Sequence, residues 1–391
     1  MMRRLLAGAR LFTGSSILED HALLLDGARI IDLIPVARQV DALRVDLPAG
    51  SLLVPGFIDL QVNGAGGILF NDHPTAAAAK TIAATLRPFG TTGLLPTFIT
   101  DDRAKMRQAM EAASAAVDEP GSGILGLHLE GPFINPARKG IHNARFARTP
   151  DDSDMTDLLT LSARLANGGG RLLLTLAPEL VADDVIARLT AAGVVVSAGH
   201  TLASVERIQQ ALAHGLRGFT HLSNAMPPIV NRNPGPVVAG LDAQDAWCSV
   251  IADGHHVHPA LLRVMHAAKP AGKLFLITDA MPPVGTAAED FILLGQQVFR
   301  RNGCLVNADG VLAGADIDMA QSVRNCLSLL GLPLEEALRM AALYPATFLG
   351  LDDRLGRLAP GFQADLALLD GDLAVKATWV CGEAVWVTPP A

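Results

Sequence analysis

The chain has few charged, aromatic and cysteine residues for its length. Of its 391 residues, 18% are charged and 4% are aromatic, with a single tyrosine. In a typical globular protein about a quarter of the residues are charged, so this low share favours a large buried core of the parallel α/β kind. The net charge of −8 disfavours a nucleic-acid or anionic-membrane partner, and we expect neither. The sequence lacks a run of about eighteen apolar residues and therefore predicts no membrane span.

The four cysteines are scattered along the second half of the chain and include no Cys-x-x-Cys pair: Cys248, Cys304, Cys326 and Cys381. This spacing gives no structural zinc signature and is typical of a protein in a reducing compartment, so we expect a cytoplasmic location. The basic pair Arg3-Arg4 resembles the start of a signal peptide. Because Arg10 interrupts the following apolar stretch, we predict no such peptide.

Strand-like and helix-like segments alternate through the middle of the chain. Eight apolar runs end near these positions: Asp59, Thr97, Glu130, Pro178, His200, His221, Asp253 and Asp279. The clearest helical patterns cover residues 75–89, 101–117 and 204–214, with Asp72 as a possible cap of the first. Eightfold alternation predicts an α/β fold of the (β/α)₈ TIM-barrel type. The alternative is a doubly wound sheet, but no Gly-x-Gly-x-x-Gly follows the first strand.

Both ends of the chain are rich in short strands and turns. The strand-like segments are residues 3–12, 21–25 and 28–34 at one end, and 365–369 and 378–380 at the other. We predict that they form one small β domain (residues 1–53 plus 356–391) beside a barrel domain (residues 54–355). Residues 291–307 predict an additional hairpin or loop excursion, with Asn302-Gly303 as a natural turn.

Two carboxylates and two histidines occupy equivalent positions at the ends of buried strands. Because the carboxyl ends of barrel strands share one rim, we expect Glu130, His200, His221 and Asp279 to meet. The first three would provide three ligands to one divalent metal and leave a position for water, with zinc expected and iron, cobalt or manganese as alternatives. Asp279 would then act as general base and acid, unless it is only a helix cap. His128 shares a strand face with Glu130, and we expect a core histidine there.

Polar residues beyond the same strands indicate an anion site. The candidates are Asn224, Ala225 and Arg232 after His221, with Arg138, Lys139 and His142 after Glu130, and His255 and His256 after the seventh strand. Backbone amides together with an arginine would suit a phosphate group. The alternative is a solvated loop with unrelated charges, and spacing alone does not decide between the two.

Ten segments in this order and spacing span nearly the whole chain: 54–64 (VPGFIDLQVNG), 90–93 (GTTG), 128–133 (HLEGPF), 139–143 (KGIHN), 197–201 (SAGHT), 220–227 (THLSNAMP), 251–256 (IADGHH), 278–280 (TDA), 312–314 (LAG) and 361–366 (GFQADL). Together they resemble the N-acetylglucosamine-6-phosphate deacetylase family of the amidohydrolase superfamily. The resemblance implies a distorted barrel, a β-sandwich formed by both termini, and a homodimer. It implies hydrolysis of the acetamide of a phosphorylated amino sugar, which yields glucosamine 6-phosphate and acetate.

The resemblance also implies residue roles. Glu130, His200 and His221 would bind the metal, Asp279 would be the catalytic acid and base, and His142 would lie near the acetyl group. The implied substrate contacts are Ile141, His142, Asn224, Ala225, Arg232, His256, Ala315 and Ile317.

Two departures from the family pattern bear on these expectations. Gln61 and Asn63 stand where many amidohydrolases carry His-x-His for a second metal, so we expect one metal. Ser223 and residues 315–317 also differ from the usual residues, which leaves the galactosamine epimer as an alternative substrate. Another amidohydrolase reaction and a non-enzymatic sugar-phosphate sensor are the remaining alternatives.

Overall fold

A computed structural model describes residues 3–387 of the chain. Its largest sheet has eight strands arranged in the order of the chain, all pairs parallel. The barrel strands, numbered first to eighth, are Phe57–Val62, Thr91–Ile99, Gly126–Glu130, Arg171–Leu176, Val195–Ala198, Gly218–Phe219, Trp247–Val250 and Leu274–Leu276. Single parallel bridges join Val62 to Ala280 and Ala280 to Ala315. The sheet therefore closes into the predicted barrel. The barrel is distorted where the first and eighth strands meet, because only single bridges join the chain there.

The barrel strands are buried on both faces, which explains their almost continuous apolar sequences. The helices around them are Ala76–Leu86, Arg103–Val117, Asp152–Asn167, Asp183–Ala191, Val205–Ala213, Gly235–Asp242, Pro259–Ala268, Met319–Ser328, Leu334–Ala341 and Leu343–Leu349. Within residues 3–387, none of them has both the length and the apolarity that a membrane-spanning helix requires. All four cysteines are free thiols.

The three helices that the sequence predicts most clearly are present, and side-chain caps explain where they begin. Asp102 and Ser204 accept backbone N–H groups at the starts of the second and fifth helices. The first helix is capped by Thr75, whose hydroxyl accepts the N–H of Ala78. The expectation that Asp72 is this cap was wrong, because Thr75 lies directly before the first helical residue.

Strands from both ends of the chain form two further sheets. One comprises Arg4–Ala7, His21–Asp26, Arg29–Pro35 and Leu43–Asp46, and the other Arg10–Phe12, Ile17–Leu18, Leu52–Pro55, Leu366–Leu369, Val375–Val380 and Glu383–Trp386. Leu6, Leu25, Leu53, Leu368 and Trp379 belong to one buried cluster between them. This is the predicted β-sandwich, whose exact domain limits stay a prediction. Residues 1–2 and 388–391 of the predicted domain lie outside the described part.

The segment after the eighth strand forms three antiparallel strands rather than the single predicted hairpin. They are Asp290–Leu293, Gln296–Arg301 and Cys304–Asn307. The predicted turn is present, and both of its central residues have positive φ, 52° for Asn302 and 78° for Gly303. Leu293 and Leu305 pack with Ile99 in a small cluster. A two-stranded ribbon, Gly64–Ala65 with Ile68–Leu69, adjoins this cluster at Leu69.

Candidate active site

A cavity of about 400 Å³ opens at the carboxyl ends of the barrel strands. Nine of the predicted site residues line it: Glu130, Ile141, His142, His200, His221, Asn224, Ala225, His256 and Asp279. Arg232 is exposed, and Ala315 and Ile317 are buried, but none of the three lines the cavity in this single chain. Their roles as substrate contacts stay predictions.

The backbone turns sharply where the chemical groups emerge from the strands. His200, His221 and Asp279 have positive φ values of 51°, 34° and 54°. For a residue with a side chain, this conformation costs roughly 1–3 kcal/mol and persists only where the surrounding structure enforces it. All three residues lie two or three positions beyond the end of a barrel strand and line the cavity, so the strain accompanies the placement of reactive groups at the mouth.

Three imidazoles surround the Glu130 carboxylate. The Nε2 atoms of His200 and His221 lie 2.9 Å and 2.8 Å from Glu130 Oε1 and 3.2 Å from each other. His142 Nε2 lies 3.6 Å from Glu130 Oε2. All four side chains are buried. The ligand atoms of Glu130, His142 and His200 also lie within 4.8 Å of one another, which makes His142 a fourth possible donor beside the predicted three.

The hydrogen bonds of the imidazoles indicate which ring nitrogen carries the lone pair. In His200 and His142 it is Nε2, the atom that faces Glu130. His200 Nδ1–H donates to the carbonyl oxygen of Arg138 at 2.8 Å, so in the neutral ring Nε2 carries the lone pair. His142 Nδ1 contacts the Thr100 hydroxyl, which itself donates to the carbonyl of Glu130. Its Nε2 therefore also carries a lone pair. Lone pairs converging on a carboxylate repel one another unless a cation is shared, so this donor set fits a divalent metal.

The charges in the cluster follow from these contacts. Burial alone would raise the pKa of Glu130, but its close contacts with the imidazoles of His142, His200 and His221 hold that pKa well below its usual value. Burial, aided by the charge of His200, lowers the pKa of His142 to about 4. For His221, the bond to Glu130 outweighs burial and raises the pKa. The site therefore combines an ionised carboxylate with a neutral His142 imidazole at neutral pH.

Asp279 faces this cluster across the cavity and is fixed by two amides. Its Oδ1 accepts N–H groups from Gln61 Nε2 at 3.0 Å and from Asn63 Nδ2 at 2.6 Å. Burial and the nearby charge of Glu130 raise its pKa to about 6. A carboxyl group with that pKa is suited both to accept and to return a proton near neutral pH.

His128 is the core histidine that the sequence predicts, whereas His255 lies at the surface. His128 is fully buried between the hydroxyls of Thr97 and Thr175, at 3.1 Å and 2.8 Å. Burial lowers its pKa to about 4, so it is a neutral core histidine. His255 is exposed.

Sequence reasoning missed two contributors to the site, Thr100 and the loop of residues 310–312. Thr100 orients His142. Asp253, which the sequence already places with His256 after the seventh strand, binds His256 through Oδ2 and Nδ1 at 2.6 Å. The loop of residues 310–312 lines the cavity although it lies far along the chain from the barrel strand ends. A polar residue directly after a strand, such as Thr100, is the only local signal that could have indicated one of them.

The comparison with known proteins agrees with this geometry. Residues 52–385 match the model of the amidohydrolase family. The chain belongs to the amidohydrolase family. It is 38% identical to the N-acetylgalactosamine-6-phosphate deacetylase of Shewanella sp. (strain ANA-3), over 97% of this chain and 95% of the relative. It is 37% identical to the N-acetylglucosamine-6-phosphate deacetylase of Homo sapiens, over 97% of both chains.

A solved structure extends the comparison to the fold. The crystal structure of N-acetylglucosamine-6-phosphate deacetylase from Pasteurella multocida superposes with a TM-score of 0.93 at 34% identity, covering 98% of this chain and 100% of that one. This amidohydrolase is therefore a hydrolytic enzyme that acts on an amide bond. Its superfamily is metal-dependent, in agreement with the buried cluster of one glutamate and histidines.

Proposed function

We propose that this amidohydrolase removes the acetyl group of N-acetyl-D-glucosamine 6-phosphate, giving D-glucosamine 6-phosphate and acetate in amino-sugar catabolism. One observation carries the proposal: a histidine-ringed carboxylate and a separate aspartate of raised pKa share one cavity. The names of the relatives supply the substrate class, because deacetylases of phosphorylated amino sugars match almost the whole chain.

Glu130, His200 and His221 would hold one divalent cation, with zinc as the expected ion. When bound, such a cation lowers the pKa of water and polarises a carbonyl oxygen. Gln61 and Asn63 occupy the positions where a second metal ion would be bound, and their amide nitrogens donate hydrogen bonds to Asp279. This arrangement supports a single cation per chain.

The protein's own groups handle the protons. Asp279 accepts a proton from the attacking water and returns it to the departing amine, so that the amine leaves as a neutral group. His142 stands beside His200, with ring centroids 4.4 Å apart, and would stabilise the negative charge that develops on the acetyl oxygen. For this role its Nε2 must carry hydrogen, which requires the Thr100 hydroxyl to turn from the Glu130 carbonyl towards His142 Nδ1.

The phosphate would lie at the other side of the cavity. His256 is fixed there by the Asp253 carboxylate, whose Oδ2 lies 2.6 Å from His256 Nδ1, and Asn224 and Ala225 line the cavity with it. The phosphate is remote from the bond that breaks, so its binding energy can position the acetamide for reaction. Arg232 would add a positive charge to this group.

The galactosamine epimer is the second candidate substrate, because the relative with 38% identity bears that name. The test is acetate release from both N-acetylated sugar 6-phosphates, assayed side by side with metal content measured on the same sample. Release from the glucosamine form at the higher kcat/KM supports the proposal. A preference for the epimer would replace the substrate but keep the reaction, and no acetate from either would refute both.

We expect Arg232→Ala to act only on phosphorylated substrate. A charge-assisted hydrogen bond contributes about 1.5–3 kcal/mol, so kcat/KM for the 6-phosphate should fall about 10- to 100-fold. The value for unphosphorylated N-acetylglucosamine should not change. Arg164→Ala, on the exposed face of the helix Asp152–Asn167, is the matched control. An equal loss on both sugars would contradict the assignment of Arg232.

The pH dependence of kcat/KM should reflect the ionisation of Asp279. Because it must be ionised to accept a proton and its pKa is raised to about 6, kcat/KM should fall as the pH drops through that value. The measurement is a pH profile from 4.5 to 8 with metal content followed in parallel. A rate that stays flat down to pH 4.5 in metal-loaded enzyme would exclude a base with this pKa.

A cytoplasmic location and a homodimeric state complete the proposal. The free state of all four cysteines supports a reducing compartment. Size-exclusion chromatography with light scattering tests the dimer.

A further inference from the structure

Gln61 and Asn63 lie two residues apart on and just beyond the first barrel strand, where side chains at this spacing point to the same side. Both direct their amide N–H groups at one atom, Asp279 Oδ1, at 3.0 Å and 2.6 Å. The closing seam of the barrel holds both partners in register. The backbone N–H of Asp279 donates to the carbonyl of Gln61, and that of Asn63 donates to the carbonyl of Ala280.

The other ends of the two amides are without a hydrogen bond. Gln61 Oε1 and Asn63 Oδ1 are buried, and within the described residues neither has a partner. A buried carbonyl oxygen without a hydrogen bond is unfavourable. The cost of burying each amide must therefore be offset by the hydrogen bonds of its NH₂ group. Here that other group is the NH₂ that binds Asp279.

We propose that Gln61 and Asn63 are positioning residues that occupy Asp279 Oδ1, so that Oδ2 alone exchanges protons with water and the leaving amine. This inference rests on the proposed function, since it concerns the same aspartate. A proton on Oδ1 would face two N–H donors, whereas Oδ2 has no such donor among the hydrogen bonds of Asp279. In many amidohydrolases, two histidines at these positions bind a second cation. Here the two amides would instead orient Asp279.

The two amides differ in their access to substrate, which makes the proposal testable. Asn63 lines the active-site cavity, whereas Gln61 is not among its lining residues and borders a small separate space of about 10 Å³. Gln61 therefore acts on the reaction only through Asp279. A loss of activity on replacing Gln61 cannot come from a lost substrate contact.

The experiment compares Gln61→Met and Asn63→Leu, which keep side-chain volume but remove the donors, in metal-loaded enzyme. A misplaced catalytic group costs up to about 10²-fold, so kcat should fall about 10- to 100-fold in each variant. KM for the sugar phosphate should stay within about threefold because the substrate-binding groups remain. Metal content and melting temperature are measured on the same samples.

Gln321→Met makes the same chemical change in the helix Met319–Ser328, away from the cavity lining, and should leave kcat unchanged. The inference is overturned if the Gln61 and Asn63 variants keep their kcat. It is equally overturned if kcat is lost only together with the metal or the folded state. Wild-type enzyme that releases no acetate from either sugar phosphate would refute the proposed function itself, which separates the two failures.

Discussion

Replacing Asp279 by asparagine is expected to lower kcat by about 10²–10⁴-fold, the usual contribution of a general acid–base group. Asparagine has the same shape but neither accepts a proton from water nor returns one to the amine. Because Gln61 and Asn63 direct N–H groups at Oδ1, the new side chain must turn its own NH₂ towards the cavity. The substituted enzyme would therefore present a donor where the reaction requires a base.

This result is measured as acetate release at saturating substrate, with metal content and melting temperature as controls. KM should change little, since no predicted substrate contact is removed. Asp290→Asn, an exposed acidic residue of the outer three-stranded sheet, should behave as wild type. Near-normal turnover in a folded, metal-loaded Asp279→Asn enzyme would exclude Asp279 as the base.

Glu130→Gln is expected to remove the bound cation and to reduce activity by about 10³-fold or more. Glu130 is the only carboxylate that contacts His200 and His221 within the described residues. Its ionised state is favoured by three imidazoles, so a neutral amide loses the charge that would balance a divalent ion. Loss of several kcal/mol of charge stabilisation by the metal corresponds to this reduction in rate.

Elemental analysis of the purified variant measures the metal directly, and acetate release measures the activity. Glu111→Gln, on the exposed face of the helix Arg103–Val117, is the matched control and should retain both. If Glu130→Gln binds metal as tightly as wild type, then Glu130 is not a ligand, and a site built on histidines alone would have to replace it.

Much of the barrel could be predicted from local sequence. Eight apolar runs mark the eight strands because both faces of each strand are buried, which leaves an uninterrupted apolar pattern. The additional segment of residues 290–307 was predicted only in part. The strand that the hairpin prediction lacks is Asp290–Leu293, whose Leu293 packs with Leu69 and Ile99, residues that are distant in sequence.

The candidate site divides in the same way. Glu130, His200, His221 and Asp279 could be located because each ends or follows a strand, and strand ends must meet in a barrel. Spacing alone could not assign roles to His142 and Thr100. His142 lies in a loop, and Thr100 is a threonine at a strand end with no further distinguishing signal. Arg232 has the expected chemistry but is an exposed loop residue that does not line the cavity, and a loop position cannot be deduced from the strand pattern.

The amino-acid sequence by itself determined the eight barrel strands, the three clearest helices and the four reactive groups at strand ends, because hydrophobic periodicity and capping act over a few residues. Only the tertiary structure decided which atoms touch. The pairing of Asp279 with the amides of Gln61 and Asn63 arises across the barrel seam, between residues more than two hundred positions apart. Contacts of that range depend on how the strands close around one core, which no local pattern encodes.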